Sequence, residues 1–149
     1  MRAFELIVEQ VGATSCAARK RIVMPAGVAT STGMTPSHLP LIDLATFATA
    51  PKQGVMVLDF TAAACGPCKT MMPILGALSR EYAGHVRLVA VDVDHEQDLA
   101  EQFSIRAMPT LVILRDGREV GRIVGSRSRA FVQGALDRAL AGDVAITAP

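Results

Sequence analysis

The stretch VMVLDF at residues 55–60 constrains the fold more than any other feature, because it is almost unbrokenly apolar and biased toward β-branched side chains. A strand of that kind has both faces covered, which requires layers on either side of its sheet. It is expected at the sheet centre. Shortly after it, Cys65-Gly66-Pro67-Cys68 opens a stretch with helical spacing in which Met71, Met72, Ile74, Leu75 and Leu78 share one side. Residues 65–82 are therefore read as a long helix, kinked at Pro73 and stopped by Ala83-Gly84.

The flanking segments complete a pattern. Residues 38–42 read as a short strand, followed by Asp43 as the cap of a helix, LATFATA, closed by Pro51. Residues 86–93 form the next strand. Asp94 is expected to cap a short helix containing Leu99 and Ala100, with His95 exposed at its start. Residues 110–114 and 120–124 flank Asp116-Gly117, a strong hairpin signal with Arg115 and Arg118 at a solvated tip. A last helix over 128–141 places Phe131, Val132, Ala135, Leu136 and Leu140 on one face, with Gly142 as terminator. The order β-α-β-α-β-α-β-β-α implies an α/β fold with a mixed sheet, parallel in its early pairing and antiparallel in its late one.

A length of 149 residues suits one domain, placed at 37–142, with 1–36 an extension expected to be poorly ordered and 143–149 a tail. Met24 and Met34 stand just ahead of the patterned region, and either could be the true start of translation. Half the residues are hydrophobic and 19% are charged, which argues against disorder and fibrous folds. The formal charge of +1 offers no field for nucleic acid and no polybasic membrane anchor. The longest uncharged stretch, 22–42, is broken by Pro25, Pro36 and Pro40, so no membrane span is expected. Glu5 and Glu9 bracket a short apolar run, unlike a signal or transit peptide, and a cytoplasmic location follows.

Three cysteines are too few for a disulfide scaffold, which fits a reducing compartment; Cys16 stands apart as an inert thiol or an oxidation partner. The C-x-x-C pair lies where a strand hands over to a helix. Pro67 suits the first helical turn, whose free amides and dipole stabilise an anion on Cys65. A thiolate there can attack a disulfide, and Cys68 can resolve the mixed disulfide, completing a two-electron cycle. The alternative, half of a zinc site, needs two further ligands, and Cys16, His38, His85 and His95 lack paired spacing, so no metal is expected. Asp59 is the only charge between Gly54 and Ala64, and such surroundings disfavour its ionised form, making it a proton donor or acceptor unless it merely ends its strand.

With VLDF at 57–60, TAAA at 61–64, CGPC at 65–68, TMMP at 70–73, AMPT at 107–110, LRDG at 114–117 and VGS at 124–126, the chain resembles the thioredoxin family over about residues 37–142. The resemblance implies a thioredoxin-like fold, with a mixed central β-sheet flanked by helices on both faces. It implies protein-disulfide reduction, with Cys65 as nucleophile, Cys68 as resolving thiol and Asp59 as the buried carboxylate behind them. Gly66 and Pro67 form the active-site loop. Met108, Pro109 and Thr110 resemble the cis-proline loop that pairs with an extended substrate, although Pro109 alone reads as a trans residue opening an edge strand. Gly125 resembles the glycine of the same groove, or ends a strand. Ala64 and Thr61 stand where the family usually carries tryptophan, and the chain has none. Ala90 stands where many relatives place a lysine near the carboxylate, so Asp59 should be less acidic here.

The resemblance further implies disulfide-containing protein substrates, a thioredoxin reductase-like electron donor, a monomer, and no prosthetic cofactor. It places the chain in electron transport and cell redox homeostasis. Two alternatives remain: a binding or assembly module in which the thiols are dispensable, suggested by the missing tryptophans, and a disulfide oxidant or isomerase.

Overall fold

In the computed structural model, which describes residues 39–143 and the backbone of 146–148, the apolar run forms β1 (Val55–Thr61), buried at every position. It follows a short helix, α1 (Leu44–Thr49), and leads into α2 (Gly66–Glu81), β2 (Val86–Asp92), α3 (Gln97–Gln102), β3 (Thr110–Arg115), β4 (Arg118–Val124), α4 (Arg129–Ala141) and β5 (Ile146–Ala148). The five strands lie in the order β2-β1-β3-β4-β5. β1 pairs in parallel with β2 and antiparallel with β3; β3 and β4 form the antiparallel hairpin. The fold is thioredoxin-like, a mixed sheet between helices. The extension 1–36, with Cys16, Met24 and Met34, lies outside the described residues.

Alternation along β1 explains its complete burial. Val55 and Val57 join Met71, Leu75 and Leu78 of α2 and Val132, Ala135, Leu136 and Ala139 of α4 in one cluster. Met56, Leu58 and Phe60 point the other way, into a cluster with Phe47 of α1 and Leu99 and Ala100 of α3. Phe103 closes that second layer, its ring 5.5 Å from Phe47 and 5.7 Å from Phe60.

Local chemistry sets most boundaries. The Asp43 carboxylate accepts from the Thr46 amide at 2.6 Å, and the Ser128 hydroxyl accepts from Phe131, each satisfying a free donor at a helix start. Asp116 and Gly117 both have positive φ, as the tight hairpin requires, and Gly142 ends α4 in the left-handed conformation. Arg115 is less a solvated tip than a tether, since its Nη1 donates to the Ala139 carbonyl at 2.8 Å. α2 continues through Pro73 to Glu81, and Gly84, at φ +82°, turns the chain toward β2.

Four expectations need correction. Within 38–42, the described residues form a single bridge, Leu41 to Ala90, rather than a strand. Ala90 donates to Pro40 and accepts from Ile42, and Pro40 has no amide with which to extend the ladder. Asp94 does not cap α3, which begins after Glu96 without a side-chain cap; its Oδ2 instead accepts from the Ala63 amide at 3.3 Å. Glu96 serves α1, accepting from the Leu44 amide at 3.0 Å. Leu140 is 37% exposed because the stripe 132, 135, 136, 139 faces the sheet and Ala139 takes its place. The stretch read as a tail contributes β5, parallel to β4 with Gly121 opposite Ile146.

Leu75→Ala should therefore cost about 2–5 kcal/mol in a urea titration, whereas Leu140→Ala should stay within about 0.5 kcal/mol of the parent.

Candidate active site

Sheet register assembles the site. Phe60 of β1 pairs with Thr110 of β3, and Thr110 pairs with Val124 of β4. The residues next along each chain, Thr61, Pro109 and Gly125, therefore lie side by side at one end of the sheet. Beyond Thr61, the Cys65 amide donates to the Ala62 carbonyl at 3.1 Å, closing the turn that delivers Cys65 to the N-cap of α2.

Cys65 and Cys68 are joined in a disulfide, with Cα atoms 5.3 Å apart. Their environments differ. Cys65 is partly exposed, and Ala64, Gly66 and Pro67 around it are exposed, whereas Cys68 is only 3% accessible. Cys68 shares the spacing of Met71, Leu75 and Leu78, so it lies on the α2 face that packs against the sheet. The Cys68 amide donates to Cys65 Sγ at 3.2 Å. An N–H at a helix start, aimed at a sulfur, favours that sulfur's anionic form.

Asp59 occupies the β1 face shared by Val55 and Val57, the face covered by α2. The Asp59 carboxyl and the Cys68 sulfur thus belong to two surfaces that pack together. Asp59 is 2% exposed, and its Oδ1 has no hydrogen-bond partner. Its strand neighbours are Ala90 on β2 and Leu111 on β3. Ala90 supplies no cation, and burial pushes the Asp59 carboxyl up to about 7.

The Met108–Pro109 bond is cis. Pro109 is buried while Met108 is 38% exposed. Thr110 is buried and its hydroxyl donates to the Ala107 carbonyl at 2.7 Å, bracing the loop from inside. Gly125, at φ +79°, donates its amide to the Pro109 carbonyl at 2.8 Å. That backbone conformation favours glycine. A separate depression of about 350 Å³, lined by Leu44, Asp94, His95, Glu96, Gln97 and Asp98, includes none of these groups. Among the described residues, no cluster of three or more His, Cys, Asp or Glu is arranged to hold a metal, and no helix is long and apolar enough to cross a membrane.

Sequence reasoning missed the segment after Gly125. The Ser126 hydroxyl donates to the Pro67 carbonyl at 3.1 Å, and the Arg127 amide donates to Met71 Sδ at 3.4 Å. Only the partners' positions across 56 and 59 residues of chain reveal these contacts, and no periodicity signals them.

Comparison with known proteins agrees with this arrangement. The thioredoxin family profile matches residues 42–138. A thioredoxin H-type from Fagopyrum esculentum is 47% identical over 73 residues, 49% of this chain and 62% of its own length. A thioredoxin from Chlamydia trachomatis is 42% identical over 83 residues, 56% of this chain and 80% of its own. Among solved structures, the oxidised form of mitochondrial thioredoxin 3 from Saccharomyces cerevisiae superposes with a TM-score of 0.59 at 38% identity, covering 65% of this chain and 91% of that one. The chain belongs to the thioredoxin family and is a thiol–disulfide oxidoreductase that reduces protein disulfides.

Proposed function

We propose that the two cysteines divide the reaction by their burial. Cys65, partly exposed at the helix start, attacks as a thiolate. It bonds to one sulfur of the substrate disulfide and expels the other as a thiolate, which takes a proton from solvent. Cys68 then attacks Cys65 Sγ, forming the Cys65–Cys68 disulfide and releasing the second substrate thiolate. Two electrons pass from the enzyme's dithiol to the substrate. The carrying observation is that Cys68 is shielded from outside sulfurs yet held against Cys65, so its natural target is the mixed disulfide.

Cys68 must lose its proton before it can attack. Asp59 is the group we assign to receive it, because a carboxyl near neutrality can hold or release a proton at working pH. Met108, Pro109, Thr110 and Gly125, with Ala64 beside Cys65, form the groove for an extended substrate segment. The open surface around Cys65 suits protein disulfides, and Ala64 in place of a large aromatic ring leaves the bond more accessible. A flavin- or dithiol-bearing reductase of the thioredoxin reductase class would restore the dithiol. We propose a monomer acting in electron transport and redox homeostasis in the cytoplasm; the low cysteine count supports the reducing compartment.

Three variants test this reading. Cys68→Ser should accumulate covalent adducts through Cys65 when exposed to disulfide-bearing proteins, and Cys65→Ser should abolish insulin reduction driven by dithiothreitol. Rates equal to the parent's would instead identify a binding module. Asp59→Asn should slow insulin reduction about tenfold or more at pH 7 while leaving the first attack by Cys65 intact. The same substitution has a stability signature. A buried carboxyl whose folded pKa is raised to about 7 stays protonated while its unfolded counterpart ionises near pH 4, so its contribution is complete at low pH and lost as pH rises through 7. Urea titrations of the oxidised protein should show roughly 4 kcal/mol lost between pH 4 and 8 through this group, and Asp59→Asn should remove that slope.

A further inference from the structure

Ser126 is exposed on the loop between β4 and α4, yet its hydroxyl hydrogen bonds to one particular peptide group. The acceptor is the Pro67 carbonyl, at 3.1 Å. The N–H of that same peptide unit belongs to Cys68, and it donates to Cys65 Sγ at 3.2 Å. The three groups form a chain running from the Ser126 hydroxyl, through the Pro67–Cys68 peptide, to the Cys65 sulfur. Hydrogen bonds linked through a peptide polarise one another: donation to the carbonyl draws electron density toward oxygen and makes the N–H on the other side a stronger donor.

The hydroxyl is held in place from both sides. The Gly125 amide anchors to the Pro109 carbonyl at 2.8 Å, and the Arg127 amide anchors to Met71 Sδ at 3.4 Å. Residues 125–127 thus tie the cis-proline loop to the first turns of α2, with the serine directed at the redox turn. In the disulfide, Cys65 Sγ is a weak acceptor. In the dithiol form, the same N–H meets a full negative charge, where a stronger donor matters more.

We propose that Ser126 is a positioning residue for thiol–disulfide exchange, polarising the Pro67–Cys68 peptide so that its N–H stabilises the Cys65 thiolate. This rests on the reading of Cys65 as the attacking thiolate. Alanine at 126 would keep the loop's backbone anchors and remove only the hydroxyl; threonine would retain it.

The experiment is the pH dependence of iodoacetamide alkylation of Cys65 in the reduced full-length protein, followed by mass spectrometry so that Cys16 and Cys68 are read separately. Ser126→Ala should raise the Cys65 pKa by about 0.3 pH units, about a twofold loss of thiolate on the acid side, and Ser126→Thr should match the parent. The Cys68 amide proton resonance should move upfield in the alanine variant alone. A parent profile that Ser126→Ala leaves unchanged would overturn the proposal, as would equal shifts in both variants, which would mark a packing effect. A Cys65 that titrates like a free thiol in every variant would overturn the nucleophile assignment instead.

Discussion

The double-sided burial of β1 is the constraint on which the rest of the structure depends. One face packs under α2 and α4 and the other under α1 and α3, and both edges are hydrogen bonded, to β2 and β3. A strand clamped in this way ends at a fixed point, and the redox turn begins there. The same clamping buries Asp59 where Ala90 and Leu111 flank it and no donor reaches Oδ1. Burying a lone carboxyl is costly, and the fully buried Leu58 and Phe60 on the same strand help offset it. The fold thus carries a group that destabilises it when ionised, beneath the helix that bears Cys65 and Cys68.

Chemistry at the site follows from an asymmetry built by helix geometry. Cys65 caps α2 and stays reachable, while Cys68, one turn along, falls on the inward stripe with Met71, Leu75 and Leu78. Identical side chains therefore meet opposite surroundings through their place on the helix. The surrounding loops are braced from within, by Thr110 to Ala107, by Gly125 to Pro109 and by Ser126 to Pro67. Three segments distant in the chain are thereby tied together around an open disulfide.

Elements governed by neighbouring residues were legible before any coordinates. Asp43 caps because a short polar side chain reaches an amide three residues on, and Asp116-Gly117 turns because both tolerate positive φ. Readings failed where a distant group competed. Asp94 is drawn to the Ala63 amide and so leaves α3 uncapped, while Glu96 is taken by α1. Leu140 lost its buried place to the smaller Ala139 because the sheet sets which stripe of α4 faces inward. The residues of β5 carry too short a pattern to declare a strand, and become one by pairing with β4.

By itself, the sequence determined that a central apolar strand runs into a helix opening with C-x-x-C, that Asp59 is an isolated charge in that strand, and that a hairpin and a capped helix follow. These are statements about periodicity and about groups a few residues apart, where bond geometry limits the outcomes. Only the tertiary structure decided that Asp59 faces the layer carrying Cys68, that Pro109 and Gly125 flank the redox turn, and that Ser126 reaches the peptide behind Cys65. Those relations depend on strand register and on helix packing, in the last case across 59 residues of chain, and register is fixed by the burial of whole faces rather than by any local residue.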